Sequence, residues 1–208
     1  MRFILFVEGL TEKKGVVPFL KRGLDAKLSI KVGIKPVRFE GWPEMVKDTP
    51  KKAQMHLKGP NAREIIAVIG LLDLYGPTFY PDRITTANER LAWAREEIER
   101  RVGHERFKMF FAVHEVEAWL LSQPGIFRND IGSALSSESK SPEQVDFGDP
   151  PSKRLERLYV QKTGRKYKKT THGPQLFQKL DIELAASKCP ELRKMLDEMV
   201  RMAKNAGL

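Results

Sequence analysis

The residues best suited to chemistry in this chain are carboxylates that follow apolar runs. Residues 3–7 (FILFV) run into Glu8, residues 65–72 (IIAVIGLL) into Asp73, and residues 109–113 (MFFAV) into His114 and Glu115. Unbroken apolarity, as opposed to alternation, is the pattern of a strand covered by helices on both faces. Parallel strands in such a sheet end on one edge, and α/β proteins build their sites along that edge. Acids at three strand ends therefore converge. Their mutual repulsion and the cost of desolvating them are relieved by a hard cation, so the pattern points to a metal site for an ion such as Mg²⁺.

Two further acids extend the set. Glu12 follows Glu8 by four residues across Gly9, a spacing that can aim both carboxylates at one cation. An acid in a first helical turn is also stabilised by the helix dipole with no metal, so Glu12 carries two readings. Glu8, directly after a buried strand, has no such local explanation. Glu117 lies two residues beyond Glu115, and either can complete a metal site. The segment is not a zincin helix, because Ala118 stands four residues after His114 where a second histidine would be needed; His114 reads as structural. The chain carries no P-loop, no Gly-x-Ser-x-Gly elbow and no dinucleotide fingerprint, which removes sequence support for P-loop ATP hydrolysis, serine acyl transfer and hydride transfer.

The elements that must position these acids follow from the hydrophobic pattern. The order is strand, helix, strand, helix, strand, helix, strand, then mostly helix. Thr11 is the expected N-cap of a first helix reaching residue 22, with Pro18 kinking or shortening it. Residues 31–39 alternate loosely as a second strand, and residues 44–56 read as helix, with Pro43 near the start and Gly59-Pro60 after the end. Residues 86–102 form the clearest helix, with Ala87, Leu91, Ala94 and Ile98 on one face, and lead into a fourth strand at 107–113. Val116, Trp119 and Leu120 stripe a short helix. Residues 125–151 turn polar and read as a long excursion, after which 152–159 and 181–206 are expected helices. The expected organisation is an α/β core over residues 1–122 and a mainly helical, basic extension over 123–208 packed on it.

The chain has 208 residues, 41% hydrophobic and 31% charged, which allows a sizeable core. A single cysteine, Cys189, excludes an intrachain disulfide and a cysteine-based zinc ribbon. No apolar run approaches the roughly 18 residues of a membrane span, and the first run is too short for a signal peptide; the cytoplasm is the expected compartment. Net charge is +10, and between Ser152 and Lys179 nine positive side chains face one negative one, leaving the rest of the chain close to neutral. Lys153, Arg154, Arg157, Arg165, Lys166, Lys168 and Lys169 belong to this block. Placed beside an acid cluster, the block suits a polyanionic substrate such as DNA or RNA; read alone, it is equally a solvated loop.

Taken together, Val7-Glu8-Gly9-Leu10-Thr11-Glu12 and a strand ending on Asp73 resemble the Toprim domain, most closely that of the overcoming-lysogenization-defect nucleases. With Asp73-Leu74-Tyr75-Gly76, His114-Glu115-Val116-Glu117-Ala118-Trp119-Leu120 and Pro151-Ser152-Lys153-Arg154, the chain resembles an uncharacterised bacterial Toprim-like family, a domain of unknown function linked with ABC-type ATPases. The resemblance implies a mostly parallel sheet flanked by helices, Mg²⁺ or Mn²⁺ on Glu8, Asp73 and Glu12, and nuclease chemistry. It also implies a basic residue after the acidic motifs, for which Lys153 is the candidate; the plain alternative is a solvated lysine in a first helical turn. Tyr75 departs from the usual Asp-x-Asp, so Glu115 or Glu117 would have to supply the missing ligand. Two other classes of function stay open: a Toprim-like module that binds nucleic acid or docks on an ATPase without turnover, and a structural protein whose acids make only local hydrogen bonds.

Overall fold

The structure is a computed structural model that describes residues 1–144 and 149–208. Four parallel strands form the sheet: β1 (Arg2–Val7), β2 (Gly33–Arg38), β3 (Ile65–Asp73) and β4 (Phe107–Ala112), in the order β2-β1-β3-β4. The sheet is Toprim-like, flanked by helices on both faces as the apolar runs require. In β1, Phe3, Leu5 and Val7 join one buried cluster while Ile4 and Phe6 join the other. The first cluster packs under α1 (Val17–Lys27), and the second under α2 (Trp42–Lys58) and α3 (Ala87–Val102). Strand β2 is an edge strand, which is why Pro36 is tolerated in it.

The chain beyond β4 is helical: α4 (Glu117–Leu121), α5 (Asn129–Ala134), α6 (Pro151–Thr163), α7 (Lys169–Lys179), α8 (Ile182–Lys188) and α9 (Pro190–Asn205). Leu155, Leu158, Phe177, Leu180, Leu192, Met195 and Leu196 pack into the same cluster as α1, so these helices cover that face of the sheet. The helix expected over 181–206 is two helices, broken where Pro190 follows Cys189. Within the 125–151 excursion, the structure has α5 and short 3₁₀ turns; residues 145–148 lie outside the described residues. Among the described residues, no helix is long and apolar enough to cross a membrane.

Two details correct the local expectations. Thr11 is itself helical and caps nothing; a π-helical turn, Glu12–Val16, runs straight into α1, and Pro18 is the second residue of α1. The basic stretch also contains a helix, α7, that packs on the π-turn through Gly15, where a Cβ would stand 2.8 Å from Phe177 Cδ2 and 3.2 Å from Pro174 Cα. Helix α3 follows its pattern: Thr86 and Glu89 form a reciprocal capping box, and Gly103 ends it at φ 61°.

Register fixes the site. Val7 pairs with Leu71 and Asp73 with Ala112, so Glu8, Asp73 and the turn through His114 and Glu115 leave the sheet at one edge.

Candidate metal centre

Asp73, at the last position of β3, accepts the Val116 N–H at 3.0 Å. That bond ties the end of β3 to the turn after β4. The turn is tight: His114 has φ 65°, a conformation rarely adopted by side-chain-bearing residues, and the Glu115 N–H donates to Val113 O at 3.1 Å. Backbone strain of this kind persists where the surroundings over-determine it, and here it swings Glu115 and Glu117 inward. Asp73, Glu115 and Glu117 each present an oxygen, and the three lie within 4.8 Å of one another.

Each acid is held differently. Glu115 accepts the Ser152 N–H at 2.8 Å, the Ser152 hydroxyl at 2.9 Å and the Lys169 ammonium at 2.8 Å. Ser152 lies in the first turn of α6, so the positive end of that helix faces the carboxylate. Glu117 is fully buried, and neither of its oxygens has a hydrogen bond of good geometry; the Lys169 ammonium lies 3.3 Å from Oε2 as a bare ion pair. Burial pushes the Glu117 carboxyl up to about 7, against the pull of Lys169. Burial also raises Asp73 well above the usual carboxylate range, with Glu12, Glu117 and Glu115 adding repulsion. For Lys169, burial disfavours the charge, but Glu117, Asp73 and Glu115 outweigh it and hold the ammonium protonated.

Glu8 and Glu12 stand outside the three-carboxylate set. The Glu8 carboxylate is raised by burial and then by Glu12, against the pull of the Trp42 backbone and Lys169. Glu12 is buried and raised chiefly by burial; its Oε2 has no hydrogen-bond partner and folds back over Gly9, where a Cβ would come within 2.7 Å of it. Gly9 thus leaves the space that the Glu12 carboxylate fills.

This donor set fits a hard divalent cation. It is all carboxylate oxygen, Glu117 within it and Glu12 beside it hold buried oxygens that lack hydrogen bonds, and Asp73, Glu117, Glu8 and Glu12 are all raised, first by burial and then by neighbouring carboxylates. Asp73, Glu115 and Glu117 could therefore bind a metal. Tyr75 contributes no ligand; it is exposed, and its N–H donates to His114 O at 2.8 Å.

The lysine expected in the site is not the one found there. Lys153 is exposed and pairs with Glu156 at 3.3 Å, because Ser152 takes the inward position on α6 and the next residue turns away. Lys169, at the start of α7, reaches the acids instead. Arg154 pairs with Glu138 at 3.0 Å and Arg157 with Asp149, while Arg165, Lys166 and Lys168 are exposed. Sequence reasoning gave Ser152 and Tyr167 no role. The Tyr167 ring is 4% exposed and stacks on His172 at 5.6 Å, and its buried hydroxyl has no hydrogen-bond partner. The signal for Ser152 was its place one residue into a helix that begins Pro-Ser.

Residues 7–200 match the family described as a domain of unknown function, DUF4276. No curated protein matches the sequence. Among solved structures, the C-terminal region of the Burkholderia pseudomallei OLD protein is similar with a TM-score of 0.52 and 23% identity, over 97% of this chain and 98% of that one. The C-terminal region of the Xanthomonas campestris pv. campestris OLD protein aligns at a TM-score of 0.40 and 18% identity, over 95% of each chain. The first likeness is one of fold. The chain belongs to the DUF4276 family, a domain of unknown function, and shares its fold with the C-terminal region of the Burkholderia pseudomallei OLD protein.

Proposed function

We propose that the protein is a metal-dependent phosphodiesterase that cleaves DNA or RNA. The observation that carries this reading is the meeting of Asp73, Glu115 and Glu117 within 4.8 Å around the Lys169 ammonium. Asp73, Glu115 and Glu117 would hold Mg²⁺ or Mn²⁺, with Glu8 and Glu12 beside them. The ion, when bound, supplies Lewis-acid stabilisation of charge on the phosphate and a more acidic water.

The chain's own residues do the rest. Lys169 keeps its proton at neutral pH and donates it in a hydrogen bond to a phosphate oxygen as charge builds there. Ser152 and the start of α6 keep Glu115 oriented. Exposed Lys13 and Lys14, next to Glu12, and exposed Arg165, Lys166 and Lys168 grip backbone phosphates on either side. Arg154 and Arg157, already in ion pairs, and Lys153 add to the surrounding positive field. In this reading residues 1–122 carry the acids and residues 123–208 bring Lys169 to them. Work beside an ABC-type ATPase is part of the proposal and rests on the family resemblance; the cytoplasm as compartment rests on the apolar pattern of the sequence.

Tyr75, standing where a second acid is usual, favours one alternative: a module that binds nucleic acid without turnover. The test is cleavage of supercoiled plasmid and of folded RNA by the purified chain with Mg²⁺ or Mn²⁺. Metal-dependent cleavage supports the enzyme; binding with no cleavage at any metal concentration supports the module.

A further inference from the structure

The Lys169 ammonium holds the same oxygens that a divalent ion needs. It touches Glu115 Oε1 at 2.8 Å and Glu117 Oε2 at 3.3 Å, so these two oxygens converge on it. Glu115 has little left to offer elsewhere. Its Oε2 accepts the Ser152 N–H at 2.8 Å, and its Oε1 accepts the Ser152 hydroxyl at 2.9 Å as well as the ammonium. A carboxylate oxygen has about two lone-pair positions, so Oε1 is fully engaged while Lys169 is in place. An ion on that oxygen stands about 2.0–2.2 Å from it, closer than the ammonium, and two cations on one pair of oxygens repel each other.

The lysine is free to move where its helix is not. Lys169 is the first residue of α7, and its side chain keeps partial contact with solvent. The helix behind it is held. Phe177 is fully buried, a Cβ on Gly15 would meet Phe177 and Pro174, and a Cβ on Gly173 would stand 2.9 Å from Thr11 Cγ2. A change of partner at Lys169 therefore belongs to its side chain and not to α7. The geometry points to a displaceable internal counter-ion: Lys169 neutralises Glu115 and Glu117 until a divalent ion takes its place, and the released ammonium turns outward to meet a phosphate of the substrate. Loading of the carboxylates and release of the lysine are then one event, because an ammonium locked on Glu115 and Glu117 has no hydrogen to spare for that phosphate in the same geometry. This inference rests on the metal-dependent reading of the site.

The test is a brief acetylation of the full wild-type chain by an N-hydroxysuccinimide ester, read lysine by lysine by mass spectrometry. It is run without Mn²⁺ and with Mn²⁺ at a concentration that a binding titration shows to saturate the protein. Lys169 should be labelled about fivefold or more faster with Mn²⁺, while the exposed Lys166, Lys168 and Lys179 change by less than about twofold. In the titration, followed by electron paramagnetic resonance of free Mn²⁺, Lys169→Met should bind the ion about tenfold tighter than the wild type, since no ammonium has to leave first. Mn²⁺ binding with Lys169 labelled at an unchanged or slower rate means that lysine and ion share the carboxylates; that overturns the displacement and leaves the metal centre standing. A rise shared by Lys166, Lys168 and Lys179 reports a general opening and overturns it too, as does a Lys169→Met affinity no tighter than that of the wild type. No Mn²⁺ binding by the wild type removes the metal centre itself, and the displacement with it.

Discussion

Lys169 and Glu115, 54 residues apart in the chain, meet at 2.8 Å, and the same ammonium lies 3.3 Å from the buried Glu117. One lysine from the C-terminal helices thus counters the charge that two strand ends and a strained turn bring together.

Lys169→Met should therefore lower the stability of the metal-free protein by about 1–3 kcal/mol, a range reduced from that of a fully buried pair because the lysine side chain is 36% exposed. Mn²⁺ should raise the melting temperature of the variant more than that of the wild type, since the ion replaces the lost positive charge. Equal melting of the two proteins with and without Mn²⁺ would show that Lys169 is not the counter-charge.

Packing at Gly15 should matter as much as charge. A Cβ there would meet Phe177 Cδ2 at 2.8 Å and Pro174 Cα at 3.2 Å, both on the helix that begins with Lys169. Gly15→Ala should cost about 1–3 kcal/mol in urea denaturation through overpacking. A midpoint unchanged from wild type would mean that α7 does not rest on the π-turn.

The exposed cations should act on affinity and not on chemistry. Replacing Arg165, Lys166 and Lys168 together by alanine should weaken nucleic-acid binding alike for all sequences and reduce the salt slope of log K by about 2 on a single strand and nearly 3 on duplex DNA, as expected for three lost phosphate contacts. Lys153→Ala, which removes only a surface pair with Glu156, should change cleavage little. A triple variant that keeps the wild-type salt slope would make the block a solvated loop.

Glu143 provides a pH test away from the metal centre. Burial raises its carboxyl to about 7, although its carboxylate accepts the Glu191 N–H at 3.0 Å. The folded state then holds a proton that the unfolded chain releases near 4.5. The sign follows: the contribution is full below about 4.5 and is lost as pH rises to about 7. Glu143→Gln removes that loss, so the variant should gain on the wild type between pH 5 and 8 by on the order of 2 kcal/mol. A stability difference independent of pH would contradict this assignment.

Much of the sheet was legible in the sequence because β1, β3 and β4 are covered on both faces and so read as unbroken apolar runs; β2, an edge strand with Pro36, gave a weaker signal. The sequence marked Glu8 and Asp73 as the sharing pair, with Glu115 or Glu117 as completing ligands; the three carboxylates that meet are Asp73, Glu115 and Glu117, because the strained turn after β4 brings the last two in, which strand patterning does not encode. Lys169 was marked only as one of the cations for nucleic acid, not as the partner of the acids. It is one of many cations in its segment, and its helix contains Gly173 and Pro174, which weaken any helical pattern. Which lysine turns inward is decided by how α7 packs on Gly15, a contact across the fold that no local spacing encodes.

The central claim is that the carboxylates at the sheet edge form a metal centre. Its most direct test is an anomalous difference map at the manganese edge, from crystals of the wild-type chain grown with Mn²⁺. The account predicts a peak bounded by the carboxylates of Asp73, Glu115 and Glu117, and its loss in Asp73→Asn crystals grown the same way. A map with no peak among these three acids, in crystals where their carboxylates are ordered, would contradict it.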